Sequence, residues 1–208
     1  KVFQLKRDAN KRNGGFNWDN TIEDFDFWQP IIMRRQFNTF FNKYPKQTME
    51  EKSIKIGETI PNFSLKNAKN EVVNSSDILK NGKMIIAFYR GSWCPYCNLE
   101  LKALQEKISE FKEKNATLVA ISPQSPDNSL TVIEKHHLTF EVLTDKDNVF
   151  AIFLGIVFEL QDFVLPYYHA LGIDLSSFNK NADNSLPIPA VFVVNESSKI
   201  IYKFADAN

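Results

Sequence analysis

The two cysteines of this chain, Cys94 and Cys97, stand in the run Gly91-Ser92-Trp93-Cys94-Pro95-Tyr96-Cys97. That run follows an apolar stretch, Met84-Ile85-Ile86-Ala87-Phe88-Tyr89, which reads as a buried strand. A strand that ends in a turn and opens a helix on Cys-Pro sets the first sulfur at the helix N-terminus. The unpaired N–H groups and the helix dipole there favour an anion, so the thiol ionises near neutral pH. Pro95 suits the first helical position, where its missing N–H costs nothing. Cys97 falls on the same face one turn later, within disulfide reach of Cys94. The chemistry expected is thiol–disulfide redox work, with Cys94 as nucleophile and Cys97 as resolving partner.

Two other uses of a cysteine pair compete. Zinc takes about four ligands, and the three histidines, His136, His137 and His169, lie far downstream with no ligand spacing to the cysteines. A purely structural disulfide would close so short a loop that it removes little entropy from the unfolded chain. No metal is expected, and no cofactor beyond the cysteine pair. The histidines are expected to be bystanders, because a thiol at a helix end needs little help to ionise.

The elements that must hold the pair follow from pattern. Ile56 to Leu65 alternates around Pro61 as an edge strand, and Glu71-Val72-Val73 pairs back onto it across the turn Asn67–Asn70. Asn74-Ser75-Ser76-Asp77 offers an N-cap to a short helix ending before Asn81-Gly82. After the strand 84–89, Leu99, Leu101, Leu104, Ile108 and Phe111 keep helical spacing, predicting one helix to about Lys114. Thr117 to Ile121 is a second buried strand, with Ser122-Pro123-Gln124-Ser125-Pro126 as its exit loop. A helix over Asp127–His137 and a strand over Phe140–Leu143 follow, then helices over Asn148–Leu154 and Asp162–Leu171 split by Gly155. A polar insertion, Asn179–Ser185, leads to Leu186-Pro187-Ile188-Pro189 and a closing hairpin, Ala190–Val194 and Lys199–Phe204. Strands alternating with helices before an antiparallel hairpin predict an α/β fold, a mixed sheet with helices on both faces.

Composition narrows the function classes. Among 208 residues, Lys+Arg and Asp+Glu are equal at 25 each, so no global field recruits nucleic acid or an acidic membrane. No apolar stretch reaches the roughly 18 residues of a membrane helix, and no signal-peptide pattern opens the chain. Two cysteines in one motif, without a disulfide framework, suit a reducing compartment, and the cytoplasm is expected. The chain begins at Lys1, which leaves processing upstream open. Residues 1–54 form a separate extension, aromatic-rich through Phe16, Trp18, Phe25, Phe27 and Trp28, then helical in spacing from Pro30 to Tyr44. Its aromatics either cover a flank of the core or form a partner surface, such as that of a homodimer.

The order of elements in residues 55–208 resembles the thioredoxin fold, a three-layer sandwich about a mixed central sheet. Four stretches resemble more specifically the peroxiredoxin-like (AhpC/TSA, redoxin) proteins that carry a CxxC. They are Ile56-Gly57-x-x-Ile60-Pro61-x-Phe63-x-Leu65, Phe88 to Leu101, Ala120-Ile121-Ser122-Pro123-Gln124 and Leu186-Pro187-Ile188-Pro189-Ala190. The resemblance implies a thiol peroxidase: Cys94 reduces a hydroperoxide, Cys97 resolves the sulfenic acid, and a thioredoxin- or glutathione-type thiol recycles the disulfide. It also implies substrate contacts from Arg90, Ser92, Trp93, Pro95, Ile188 and Pro189, with a cis Ile188–Pro189 bond facing the cysteines. The glutaredoxin-type Cys-Pro-Tyr-Cys suggests a protein disulfide reductase instead, and a binding module with an inert motif is the non-enzymatic alternative.

The chain departs from that pattern in three places. Mainstream peroxiredoxins place Thr or Ser three residues before the reactive cysteine, where this chain has Gly91. They use a late arginine near where it has Pro189. Arg90 and Ser92 are the candidates to supply those donors. The fold's usual helix after the hairpin has no counterpart before Asn208.

Overall fold

The computed structural model describes residues 52–181 and 183–205. The chain divides into two units, Lys1–Pro45 and Lys46–Asn208, and every described residue belongs to the second. The aromatic series from Phe16 to Tyr44 lies outside the described residues.

Seven strands form one mixed sheet. In chain order they are β1 (Ser64–Asn67), β2 (Val72–Asn74), β3 (Lys83–Phe88), β4 (Ala116–Ser122), β5 (Glu141–Thr144), β8 (Ala190–Val194) and β9 (Ile200–Ala205). Across the sheet they run β2-β1-β5-β4-β3-β8-β9. β3, β4 and β5 are parallel neighbours, Ile85 beside Leu118 and Ala120 beside Val142. β8 pairs antiparallel with β3, Phe88 opposite Ala190, and β9 closes the edge by the expected hairpin.

The central strands are apolar on both faces because both faces are covered. Met84, Ile86 and Phe88 point to one side, with Val119, Ile121, Leu143 and Phe192. Ile85, Ala87 and Tyr89 point to the other, with Leu118, Ala120 and Val142. On the first side lie the short helices α1 (Ser75–Leu79) and α5 (Val149–Phe153), which contribute Leu79, Phe150 and Ala151. On the second lie α2 (Pro95–Glu106), α3 (Ile108–Glu113) and α4 (Pro126–His136), through Cys97, Leu101 and Val132. This is the expected three-layer α/β sandwich.

Four local expectations are corrected. The helix predicted from Pro95 to about Lys114 breaks at Lys107, whose N–H turns back to the Leu104 carbonyl at 3.1 Å, and the second piece lays Ile108 and Phe111 on the sheet. The first strand starts late: only Thr59 bridges, to Lys199, before β1 begins at Ser64. Between α5 and β8 the chain builds more than a helix and a polar loop. β6 (Val157–Glu159) and β7 (Ser185–Pro187) pair as a small antiparallel sheet. Between them stand a 3-10 turn, Asp162–Val164, and the helices α6 (Leu165–Ala170) and α7 (Leu175–Asn179). Finally, no peptide bond among the described residues is cis, so Ile188–Pro189 is trans. Its chain is drawn straight from the β6–β7 ladder into β8, with the Ile188 N–H donated to the Ile156 carbonyl at 2.8 Å.

Candidate functional site

β3 delivers its last residues to a tight loop that turns into α2. Cys94 caps that helix in an extended conformation, with Pro95 in the first turn. Its N–H is donated to the Gly91 carbonyl at 3.1 Å, and its carbonyl accepts the Asn98 N–H at 3.1 Å. The cap residue thus carries its thiol where the first helical N–H groups are free. Cys97, the more deeply buried of the two, accepts the Arg90 N–H on Sγ at 3.5 Å. Both cysteines are free thiols.

The pair is electrostatically asymmetric. The Cys97 thiol donates to the Cys94 sulfur, and this holds the Cys94 pKa down to about 6 against the opposing effect of burial. Backbone N–H groups of Cys97 and Tyr96 and the charge of Arg90 act in the same direction. The same hydrogen bond, together with burial, pushes the Cys97 thiol well up, so Cys97 keeps its proton. No histidine takes part in this balance. His136 sits in the last turn of α4, its imidazole pushed down by burial and by Lys135 and Lys102. His137 is the left-handed cap of that helix, and His169 lies exposed on α6. Among the described residues no group of three His, Cys, Asp or Glu side chains could hold a metal ion.

The loop before Cys94 is fastened from β4. Because β3 and β4 run parallel in register, their C-terminal ends lie side by side and the exit loop of β4 meets the cysteine loop. Gln124, fully buried in that exit loop, accepts the Ser92 N–H on Oε1 at 2.6 Å. Asn98 donates to the Ser92 carbonyl at 2.8 Å. Ser92 therefore contributes its backbone to the loop's tether.

Gly91 explains the missing threonine. Its φ of +151° lies where side chains are strained, and a Cβ there would fall 2.5 Å from Nε1 of Trp93. The indole already occupies that space. Trp93 Nε1 is buried without a hydrogen-bond partner, as is Arg90 Nε. Two N–H donors beside Cys94 are thus unused by the protein.

Two aromatic residues come to the site from the far segment between α5 and β7. The Arg90 guanidinium carbon lies 5.7 Å from the ring centre of Phe158 in β6. Tyr168 of α6 meets Trp93 edge to face, ring centroids 5.5 Å apart. Burial raises the Tyr168 phenol, Arg90 opposes it, and both cysteines add to it. Pro95 is exposed at the helix start. Pro189 precedes Ala190, the partner of Phe88, and so sits at the same end of the sheet as the cysteine loop. The Ile188 side chain is buried in the cluster on the opposite face from the cysteines.

Sequence reasoning did not single out Gln124, Phe158 or Tyr168 as site residues. The parallel pairing of two adjacent apolar runs was a usable signal for Gln124. Nothing local marks the other two, which arrive from more than 60 residues away in sequence.

No described helix is long and apolar enough to cross a membrane. Among curated proteins, the chain is similar to the peroxiredoxin bcp of Buchnera aphidicola, 30% identical over 104 residues, which are 50% of this chain and 65% of that protein. It is also similar to thiol-disulfide oxidoreductase ResA of Oceanobacillus iheyensis, 31% identical over 101 residues, 47% of this chain and 53% of that protein. In both cases the match spans less than two thirds of the relative's length. Among solved structures, peroxidoxin BcpB of Mycobacterium tuberculosis superposes with a TM-score of 0.61 at 19% identity, covering 74% of this chain and 88% of that one. The AhpC/TSA family model matches residues 56–203, which hold both cysteines and all of the sheet but the last two residues of β9, and the chain belongs to that family.

Proposed function

We propose that the protein is a thiol peroxidase with Cys94 as its nucleophile. The observation that carries this is the asymmetric pair: a thiol held at about 6 and a protonated thiol donating to it, at a helix N-cap in an AhpC/TSA chain. At neutral pH the Cys94 thiolate attacks the terminal oxygen of a hydroperoxide. The O–O bond breaks, two electrons pass from sulfur to oxygen, and the leaving oxygen takes a proton as alcohol or water, leaving a Cys94 sulfenic acid. Cys97 then condenses with it, releasing water and forming a Cys94–Cys97 disulfide. Two external thiols of thioredoxin or glutathione type reduce that disulfide and become a disulfide themselves. Arg90 and the unpartnered indole N–H of Trp93 serve as donors to the peroxide oxygens. Two cysteines in one reducible pair suit the reducing conditions of the cytoplasm.

The Cys-Pro-Tyr-Cys motif and the likeness to ResA favour a second reading, reduction of protein disulfides through a mixed disulfide. One experiment separates them. The Cys97→Ser variant is treated with one equivalent of hydroperoxide, and a selective reagent traps any sulfenic acid. Rapid trapping at Cys94 with weak activity on a model protein disulfide supports the peroxidase. Oxidation no faster than that of a free thiol, with brisk disulfide reduction, replaces it with the reductase.

A further inference from the structure

Arg90 addresses the two sulfurs from its two ends. Its backbone N–H is donated to Sγ of Cys97 at 3.5 Å, while its side-chain charge acts on Cys94. The side chain is half-buried, and among the described residues no carboxylate pairs with it and no acceptor takes its Nε–H. The contact that orders it is an aromatic face. Its guanidinium carbon lies 5.7 Å from the ring centre of Phe158, inside the roughly 6 Å over which the negative face of a ring attracts a cation. Phe158 is itself held in place. It sits at the centre of β6, opposite Leu186 of β7, and packs against the core cluster that contains Phe88 and Ile188. From β7 the chain passes through Ile188, whose N–H is bonded to Ile156, into β8 beside Phe88. The ring and the strand that delivers Arg90 thus belong to one hydrogen-bonded frame.

We propose that Phe158 is a positioning residue for the Cys94 reaction: its ring face holds the Arg90 guanidinium beside the thiol pair while leaving the charge unneutralised and the N–H donors free. The inference rests on the peroxidase reading and adds the residue that keeps its cation in place. A half-buried arginine without a partner samples many rotamers, and its charge is screened wherever it turns to water. A carboxylate partner would fix it, but would cancel the charge and occupy its fork of donors. A ring engages the cation from above the guanidinium plane. The N–H groups, which lie in that plane, stay available to a thiolate or a peroxide oxygen.

The test uses the full reduced chain and two readouts. One is the pH midpoint of Cys94 alkylation, mapped by mass spectrometry, and the other is the rate constant for Cys94 oxidation by hydrogen peroxide. The residue at 158 is replaced by pentafluorophenylalanine, which keeps the shape of the ring and removes its negative face. The midpoint is expected to move upward and the rate constant to fall by about fivefold. Phe158→Leu should displace both in the same direction, and Phe158→Tyr, which restores an unfluorinated face, should recover both. In an Arg90→Gln background neither the fluorinated ring nor Phe158→Leu should move either readout further, because the ring acts through the guanidinium. If Phe158→Leu does not fold, the fluorinated chain carries the test by itself. A fluorinated ring that leaves midpoint and rate unchanged, or an effect of equal size in the Arg90→Gln background, overturns the proposal. Failure of the peroxidase reading is seen separately, as absence of peroxide-driven sulfenic acid in a protein whose alkylation midpoint still moves with the ring.

Discussion

The Ser92 N–H is donated to Oε1 of Gln124 across 2.6 Å, and this bond ties the reactive loop to the strand beside it. Gln124 is fully buried and Ser92 half-buried, so removing either group leaves the other poorly placed to find a substitute. Gln124→Leu is expected to leave the Ser92 donor unsatisfied at a cost of about 1–3 kcal/mol, measured by chemical denaturation of the reduced protein. Gln124→Glu keeps an acceptor but adds a negative charge near the thiol pair. The Cys94 titration, followed by the ultraviolet absorbance of the thiolate, should then move upward.

Reactivity of Cys94 should rise as pH increases through about 6 and level off above it, because the thiolate is the reacting form. The Cys97 thiol is the largest cause holding that value down, and Arg90 ranks below it. Cys97→Ala is therefore expected to move the midpoint of Cys94 alkylation upward by more than Arg90→Gln does. Equal displacements, or the reverse order, would contradict the assignment.

The same asymmetry shapes stability. Cys94 ionises more easily folded than unfolded, so its contribution is complete above the ordinary thiol range and is lost as pH falls through about 6. Cys97 is raised when folded, so its contribution is complete below the ordinary thiol range and is lost as pH climbs beyond it. The stability of the reduced protein, taken as the difference from a Cys94→Ser, Cys97→Ser double variant, should pass through a maximum in the alkaline thiol range. A difference flat in pH would show that the two thiols do not sense the fold.

Asp145 caps the start of α5 from within the core. Its carboxylate accepts the Phe150 N–H at 3.0 Å and the Ala151 N–H at 2.9 Å, while burial raises its pKa. Asp145→Ala removes both acceptors and is expected to cost about 2–4 kcal/mol, loosening Phe150 from Phe63 and Phe88, which its ring now meets. Thermal unfolding measures the loss, and near-ultraviolet circular dichroism reports on the aromatic packing.

Where fold and site were legible, each signal was local and each environment uniform. The runs at 84–89 and 117–121 are apolar at every position because helices cover both faces of the sheet, and the cysteine motif carries its helix start in its own proline. The hairpin at 190–204 announced itself by its turn. Illegible were features decided by distant partners. Three-residue strands such as β6 and β7 have no periodicity to detect, and each exists only because the other is there. Phe158 and Tyr168 look like ordinary aromatics until the segment folds back onto Arg90 and Trp93. The cis bond expected before Pro189 came from the resemblance and not from these residues, and the bond takes the trans form that X–Pro favours by default. The break at Lys107 depends on how Ile108 and Phe111 meet the sheet, and helical spacing is equally satisfied without it.

Gly91 and Trp93 share one volume, and that sharing binds their histories together. A side chain at 91 and the indole in its present position at 93 do not fit together, since the first Cβ would stand 2.5 Å from the indole nitrogen. Relatives that carry a hydroxyl residue at the position of Gly91 must therefore hold something smaller, or turned away, at the position of Trp93. The two sites are expected to exchange as a pair. A lineage passing between the two arrangements has to cross a loop that is either crowded or hollow, and within this family the identity of residue 91 should forecast that of residue 93.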